Sequence, residues 1–245
     1  MKLTRRNLVQ GSLAAPIALA ATAAFADPTE EQCKAALVPH MDFPQLARYR
    51  GENAHLLQSG APVDAVFMGD SITEGWKDKR PGFFTNGRID RGISGQTTPQ
   101  MVLRMMSDVV ALRPRVVHIM GGTNDIAGNT GPMTPEMSEN NIRAMTDIAQ
   151  GEGINVLIAS VPPAARFPWA PAIETRGAIA ELNRRLKRLA AEKGATWVDY
   201  HPVLDDGSGA MKPGLSYDGV HPTEAGYDAM ATVVNPILAK VLRRR

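Results

Sequence analysis

Short apolar runs alternate along this chain with longer segments in which apolar residues recur every three or four positions. The short runs are typical of buried strands, and the periodic segments are typical of amphipathic helices. The predicted strands cover residues 63–68, 88–93, 115–120, 155–161 and 196–200. The main predicted helices cover residues 99–112, 134–151, 173–193 and 222–242. This alternation favours a parallel sheet with helices on both faces, and the absence of internal repeats favours one domain.

A candidate nucleophile follows the first predicted strand. The sequence Gly69-Asp70-Ser71 ends that strand and passes into a short helix. Ser71 would therefore lie at the carboxyl end of a strand, where open α/β sheets bind their ligands. A serine hydroxyl also needs a base that takes its proton. Taken alone, the tripeptide is more typical of a turn that caps a helix.

A candidate base lies near the other end of the chain. Asp218 precedes His221 by three residues, and a predicted helix begins just after them. The aspartate could bind one ring nitrogen and fix the tautomer, leaving the other nitrogen to face Ser71. A histidine before a proline is usually an ordinary loop residue. The accompanying acid and the distant serine favour a catalytic role here.

Two further loops carry groups that could stabilise an oxyanion. Gly95 follows the second predicted strand and offers a backbone N–H with no side chain in the way. Asn124 follows the third strand within Gly122-Thr123-Asn124-Asp125. Together with the Ser71 N–H, these groups predict an oxyanion hole. A polar turn that caps a helix is the alternative for the asparagine block.

These four ordered blocks resemble those of the SGNH, or GDSL, hydrolase family, which is named for a serine, a glycine, an asparagine and a histidine. Ile72 stands where the family name has leucine. The resemblance implies a three-layer α/β/α flavodoxin-like sandwich with about five parallel strands. It also implies ester hydrolysis through an acyl-enzyme at Ser71, Asp218 and His221, without a metal or cofactor. The Gly-x-Ser-x-Gly elbow of other α/β-hydrolases is absent.

The first 26 residues have the pattern of a cleaved secretory signal. A basic start containing Arg5-Arg6 leads into an Ala-rich apolar stretch that ends Ala24-Phe25-Ala26. The arginine pair resembles a twin-arginine signal, which predicts the twin-arginine export machinery as a partner and a periplasmic or secreted enzyme. A membrane anchor is the alternative, although the apolar stretch is short for a span. Residues 27–245 would then form a single hydrolase domain without a stable membrane span.

The net charge, the single cysteine and the spacing of the histidines bear on nucleic-acid binding, disulfide formation and metal binding. Removal of residues 1–26 lowers the formal net charge from +2 to −1, so the composition gives no case for nucleic-acid binding. Cys33 is the single cysteine, which excludes an internal disulfide. The remaining histidines show no metal-ligand spacing, and His118 fits a packed position within a strand.

Substrate preference should depend on loops at the carboxyl edge of the sheet. Two loops, residues 76–86 and 162–171, carry aromatic residues beside arginine, and Trp76, Phe167 and Trp169 are the candidate substrate-binding residues. The alternative is that these rings pack the loops onto the domain. Neither loop is long and apolar enough for a lipase lid. We therefore expect a short-chain esterase, acting on acetyl esters of small molecules or carbohydrates. A lysophospholipase, a thioesterase or a non-catalytic carbohydrate- or acyl-binding module are the alternatives.

Overall fold

A computed structural model describes residues 42–243. The predicted signal sequence and Cys33 lie outside the described residues, so the inferences about them stay predictions. Five parallel strands form one sheet in the order β2-β1-β3-β4-β5. Their bounds are Ala65–Gly69 (β1), Arg88–Gly92 (β2), Val116–Met120 (β3), Asn155–Ala159 (β4) and Thr196–Val198 (β5).

Helices cover both faces of the sheet. Their bounds are Arg50–Ser59 (α1), Ser71–Lys79 (α2), Thr98–Asp108 (α3), Thr123–Ala127 (α4), Pro135–Gly151 (α5), Thr175–Lys193 (α6), His201–Leu204 (α7) and Glu224–Arg243 (α8). Helix α5 packs between α3 and α6, and α2 packs against α8. The predicted α/β sandwich with a five-stranded parallel sheet is therefore confirmed. None of the helices in residues 42–243 combines the length and apolar character needed to cross a membrane.

The inner strands β1, β3 and β4 are mostly apolar because both faces of the sheet are covered, whereas the edge strand β2 carries Arg88, Asp90 and Arg91. Every residue of β1 and of β3 is buried. His118 in β3 is fully buried, and its Nε2 lies 2.9 Å from the hydroxyl of Tyr200. Burial lowers the pKa of His118 to about 3, so this ring is neutral. The predicted packing role of His118 is confirmed.

The helices follow the predicted pattern with small differences. Helix α3 ends at Asp108, and a separate 3₁₀ turn covers Val110–Leu112, where one continuous helix was predicted. The predicted apolar stripe nevertheless faces the core, with Met101, Met105, Val109 and Leu112 all buried. Helix α1 was not predicted, because its only buried side chain is the polar Asn53 and it lacks an apolar stripe.

Three neighbouring strands end at one level of the sheet. Gly69 of β1 pairs with Gly92 of β2 on one side and with Met120 of β3 on the other. The chain passes from β1 outward to β2 and then returns to place β3 on the opposite side of β1. The loops after β1 and β3 therefore diverge, which opens a crevice at the carboxyl edge of the sheet.

Trp76 does not line this crevice, and its predicted role in substrate binding is wrong. Trp76 lies in α2 and is fully buried, where it stacks on Phe83 at 4.4 Å and on Tyr227 at 5.5 Å. The chain then returns from α2 to the start of β2, so Phe83 lies beneath the Arg88 guanidinium at the amino edge. Connections from a helix to a strand lie at that edge, whereas ligands bind at the other.

Candidate active site

Ser71 is the first residue of α2, directly above the carboxyl ends of β1 and β2. Asp70 caps this helix, since its Oδ1 accepts the N–H of Ile72 at 3.0 Å. The first turn of α2 lies very close to β2, because a Cβ at Gly92 would be only 2.7 Å from the Asp70 carbonyl oxygen. The glycine in β2 thus allows the serine to sit on the sheet edge.

A hydrogen-bond chain connects Ser71 with the loop before α8. The Oγ of Ser71 lies 2.9 Å from Nε2 of His221, and Nδ1 of His221 lies 2.6 Å from Oδ2 of Asp218. The other carboxylate oxygen of Asp218 accepts the backbone N–H groups of Val220 at 2.9 Å and His221 at 2.7 Å. The hydroxyl of Ser216 donates to the His221 carbonyl at 2.9 Å and closes the same turn. These bonds fix the acid and the imidazole together.

The local electrostatics suit an ionised Asp218. Partial burial acts to raise the pKa of its carboxyl, but the hydrogen bonds from His221 and Val220 outweigh this effect and hold that pKa below its usual range. A carboxylate there can stabilise a positive charge on the imidazole. Asp70 differs, because burial raises the pKa of its carboxyl to about 6 while the N–H of Ile72 opposes the shift.

Gly95 and Asn124 lie on the loops that follow β2 and β3. Gly95 is exposed and has a φ of 78°, a conformation that glycine adopts without strain. Within residues 42–243, the backbone N–H groups of Ser71 and Gly95 donate to no other group of the protein. Asn124 is buried in the first turn of α4, and its Nδ2 donates to the Gln96 carbonyl at 2.9 Å. One N–H of this amide remains available to a ligand.

The aromatic candidates divide into one that lies beside His221 and two that do not. Trp169 is 43% exposed, and the centre of its ring system lies 5.9 Å from that of His221. Phe167 is fully buried and stacks beneath Trp169 at 5.2 Å, so it packs the loop, as in the alternative above, and its predicted role in substrate binding is wrong. Trp76 lies in the core, as described above. Burial inside the domain removes more apolar area of these two rings from water than a position at the loop surface would, which is favourable.

Sequence reasoning missed Tyr217. Its ring stacks on His221 at 5.6 Å with an interplanar angle of 16°, and it is 66% exposed. An exposed aromatic residue immediately before the Asp218 block is the signal that could have identified it. A cleft of about 340 Å³ opens between this ring and α2. Its lining is largely polar, and consists of Ser71, Glu74, Gly75, Asp78, Lys79, Ser94, Tyr217, His221, Pro222 and Tyr227.

A buried arginine supports the site from below and was also missed. Arg104 is fully buried; its Nη2 donates to the Gly69 carbonyl at 2.8 Å and its Nε donates to Oε1 of Gln96 at 2.6 Å. Nη1 pairs with Asp108 at 3.2 Å. Arg104 thus connects the end of β1 to Gln96, whose carbonyl accepts an N–H of the Asn124 amide. The signal in the sequence is a charged pair four residues apart on the apolar face of a predicted helix.

No group of three or more histidine, cysteine or acidic side chains within the described range is arranged to hold a metal ion. The crevice brings together a serine hydroxyl, an imidazole, a carboxylate and amide donors. A family model for GDSL-like lipases and acylhydrolases matches residues 67–229, which include all of these groups. The chain belongs to this family.

Several known proteins resemble this GDSL hydrolase. A Bacteroides fragilis protein assigned to the acylhydrolases is 41% identical, with a TM-score of 0.77, over 82% of this chain and 98% of its own. A variant of an acetyl xylan esterase from Geobacillus stearothermophilus shares the fold at 21% identity and a TM-score of 0.59, over 72% of this chain and 94% of its own.

A curated relative is a GDSL lipase of Mycobacterium tuberculosis, which is 27% identical over 127 residues. The match covers 52% of this chain and 51% of the relative, so it spans about half the length of that protein. The family membership and the resemblance to acylhydrolases show that the protein is a hydrolase of the serine type.

Proposed function

We propose that this GDSL hydrolase is an esterase that removes short acyl groups, chiefly acetyl, from hydroxylated compounds such as carbohydrates. The observation that carries the proposal is the unbroken chain of short contacts from Ser71 through His221 to Asp218 at the crevice. A serine aligned with a base, and a base aligned with an acid, is the arrangement that activates a hydroxyl for attack on an ester.

In the proposed reaction, Ser71 attacks the ester carbonyl while Nε2 of His221 takes the proton from its hydroxyl. The carboxylate of Asp218 stabilises the imidazolium that forms. The N–H groups of Ser71, Gly95 and Asn124 donate to the carbonyl oxygen as its negative charge develops. His221 then protonates the leaving alcohol, and an acyl-enzyme remains on Ser71. Water repeats the sequence and releases the acid.

The polar lining of the cleft supports a hydroxylated substrate. Glu74, Asp78, Lys79 and Ser94 face this space next to Ser71. A long alkyl chain would displace water from these charged groups without offering them partners, which is unfavourable. A sugar supplies hydroxyl groups that can replace that water. The resemblance to an acetyl xylan esterase is consistent with the same class of substrate, although that likeness is one of fold.

The exposed rings of Trp169 and Tyr217 support the same class. Both lie within 6 Å of the His221 ring, at 5.9 Å and 5.6 Å. Such rings provide rigid apolar surface with a polar group at the edge, which suits the apolar face of a sugar and its flanking hydroxyl groups. We therefore place the leaving alcohol beside these rings and the acyl group at the oxyanion donors.

The test is hydrolysis of p-nitrophenyl acetate, butyrate, octanoate and palmitate, followed by acetylated xylo-oligosaccharide. The protein is compared with Ser71→Ala and with Ser59→Ala, a matched control at the end of α1. Turnover that is highest for acetate, absent in Ser71→Ala and intact in Ser59→Ala supports the proposal. A maximum at palmitate would favour a lysophospholipase or thioesterase. Binding of the oligosaccharide without turnover would indicate a binding module.

A further inference from the structure

Asn129 connects three parts of the crevice although it belongs to none of the four sequence blocks. Its Nδ2 donates to Oδ1 of Asn124 at 2.9 Å and to the Gly95 carbonyl at 3.2 Å. Its Oδ1 accepts the indole N–H of Trp169 at 3.2 Å. Its own backbone N–H donates to the Asn124 carbonyl at 3.0 Å, which holds the residue against α4. Both ends of this one side chain are thus engaged within the site.

The contact with Asn124 decides which end of that amide faces the crevice. A carboxamide has an acceptor end and a donor end of nearly equal shape. In the observed orientation, Oδ1 of Asn124 meets the N–H of Asn129 and Nδ2 meets the Gln96 carbonyl. A rotated amide would set oxygen against the Gln96 carbonyl and N–H against the N–H of Asn129. Both contacts would be repulsive, so the second N–H of Asn124 is left as the free donor.

We propose that Asn129 is a positioning residue for ester hydrolysis, which holds the Asn124 amide with its N–H directed at the oxyanion. This inference rests on the proposed function, because it assigns a task to Asn129 through the oxyanion donor Asn124. The contact with the Gly95 carbonyl acts in the same direction, since it ties a second donor loop to the first. Preorganised donors stabilise the transition state because they need no rearrangement as the charge develops.

Because Asn129 is exposed, a positioning role in catalysis can be distinguished from a role in stabilising the fold. The residue is exposed, whereas Asn124 is buried. Hydrogen bonds at an exposed side chain add little to global stability, because water replaces the lost partner. A change at Asn129 should therefore alter the rate much more than the melting temperature.

The test measures kcat, KM and Tm with p-nitrophenyl acetate for Asn129→Ala and Asn129→Asp. The aspartate keeps an acceptor for Trp169 but has no N–H to donate to Asn124. We expect both variants to lower kcat about tenfold with KM little changed, as for loss of an interaction made only in the transition state. Asn155→Ala is the matched control, because Asn155 is an exposed asparagine whose Nδ2 donates to the Arg115 carbonyl at the opposite edge. It should retain the parent kcat and KM.

A double-mutant cycle with Asn124→Ala identifies the route of the effect. If Asn129 acts through the Asn124 amide, Asn129→Ala should lower kcat by less than about twofold once that amide is gone. A full additional loss in the Asn124→Ala background would overturn the inference, as would an unchanged kcat in Asn129→Ala. Failure of the proposed function looks different, because Ser71→Ala would then retain turnover. If Ser71→Ala is inactive and Asn129→Ala is fully active, the proposed function stands and only the positioning role of Asn129 is wrong.

Discussion

Asp218 holds His221 through its side chain and its backbone at once. Oδ2 of the carboxylate lies 2.6 Å from Nδ1 of the ring, and Oδ1 accepts the backbone N–H of the same residue at 2.7 Å. The carboxylate therefore sets the tautomer of the imidazole and also the turn from which the imidazole projects. Both effects direct Nε2 at Ser71, which lies 150 residues earlier in the chain.

Asp218→Asn should retain the turn and lose the base. The amide oxygen can still accept the backbone N–H groups, but the amide nitrogen would face Nδ1 and favour the tautomer that carries its proton on Nε2. We expect kcat to fall about 10⁴-fold at neutral pH, as in other triads with this change. Steady-state kinetics with p-nitrophenyl acetate provide the measurement. A kcat close to that of the parent would show that Asp218 does not set the tautomer.

Asn124→Ala should remove one oxyanion donor while the nucleophile and base stay in place. Loss of such a donor lowers kcat about 10²–10³-fold. KM should change little, because the charge that Asn124 would stabilise is absent from the bound ester. Kinetics with the acetate ester separate the two constants. A raised KM with a normal kcat would assign Asn124 to ground-state binding instead.

Tyr217→Ala should weaken binding of a carbohydrate ester more than that of a small aryl ester. An aromatic contact contributes about 0.5–1.5 kcal/mol, so KM for acetylated xylo-oligosaccharide should rise about twofold to twelvefold. Tyr217→Phe is the matched control, because it keeps the ring that stacks on His221. If the oligosaccharide KM is the same in all three proteins, the proposed position of the leaving alcohol is wrong.

Trp76→Phe should destabilise the protein without changing its acyl preference. Trp76 is fully buried between Phe83 and Tyr227, and the smaller ring leaves space that its neighbours fill only in part. We expect a loss of about 1–3 kcal/mol in the free energy of unfolding, measured with urea. The ranking of p-nitrophenyl esters should stay the same. A changed ranking at unchanged stability would return Trp76 to the substrate site.

Asp90→Asn should change how stability depends on pH. Burial raises the pKa of the Asp90 carboxyl to about 6 from its ordinary value of 3.8. The folded protein therefore holds this proton more tightly than the unfolded chain, and stability falls as pH rises between those two values. The amide of an asparagine does not titrate, so the variant avoids this loss of stability. Relative to the parent, the Asp90→Asn variant should thus gain stability between about pH 4 and pH 7, by up to about 3 kcal/mol at roughly 1.36 kcal/mol per pKa unit.

Urea unfolding of both proteins at these two pH values gives the comparison. Other acidic groups contribute equally to the two proteins, so the difference isolates Asp90. A difference in stability that stays constant with pH would show that Asp90 titrates normally in the folded state.

The residue pattern determined much of this protein by itself. Inner strands that are covered on both faces are mostly apolar, so β1, β3 and β4 could be located from composition. The predicted helix of residues 173–193 differs from α6 only at its start, since Gly194 marks its end. The sequence alone could identify Ser71, Asp218 and His221 as candidate catalytic residues, because each belongs to a short local block. The Ser71, Gly95 and Asn124 blocks each follow a strand of one parallel sheet, whereas the Asp218–His221 block lies in the loop between α7 and α8 and reaches them only through the fold.

Tertiary contacts decided the rest. Trp76 and Phe167 were predicted to bind substrate from loops, yet both are buried, and Trp76 stacks on Tyr227, which is far away in the sequence. Asn129 gains its position at the crevice from Gly95 and Trp169 on two other loops, which no local pattern specifies. Periodicity reports only whether one face of an element is apolar. Which side chain meets which depends on strand order and loop packing, and these are set by contacts between residues distant along the chain.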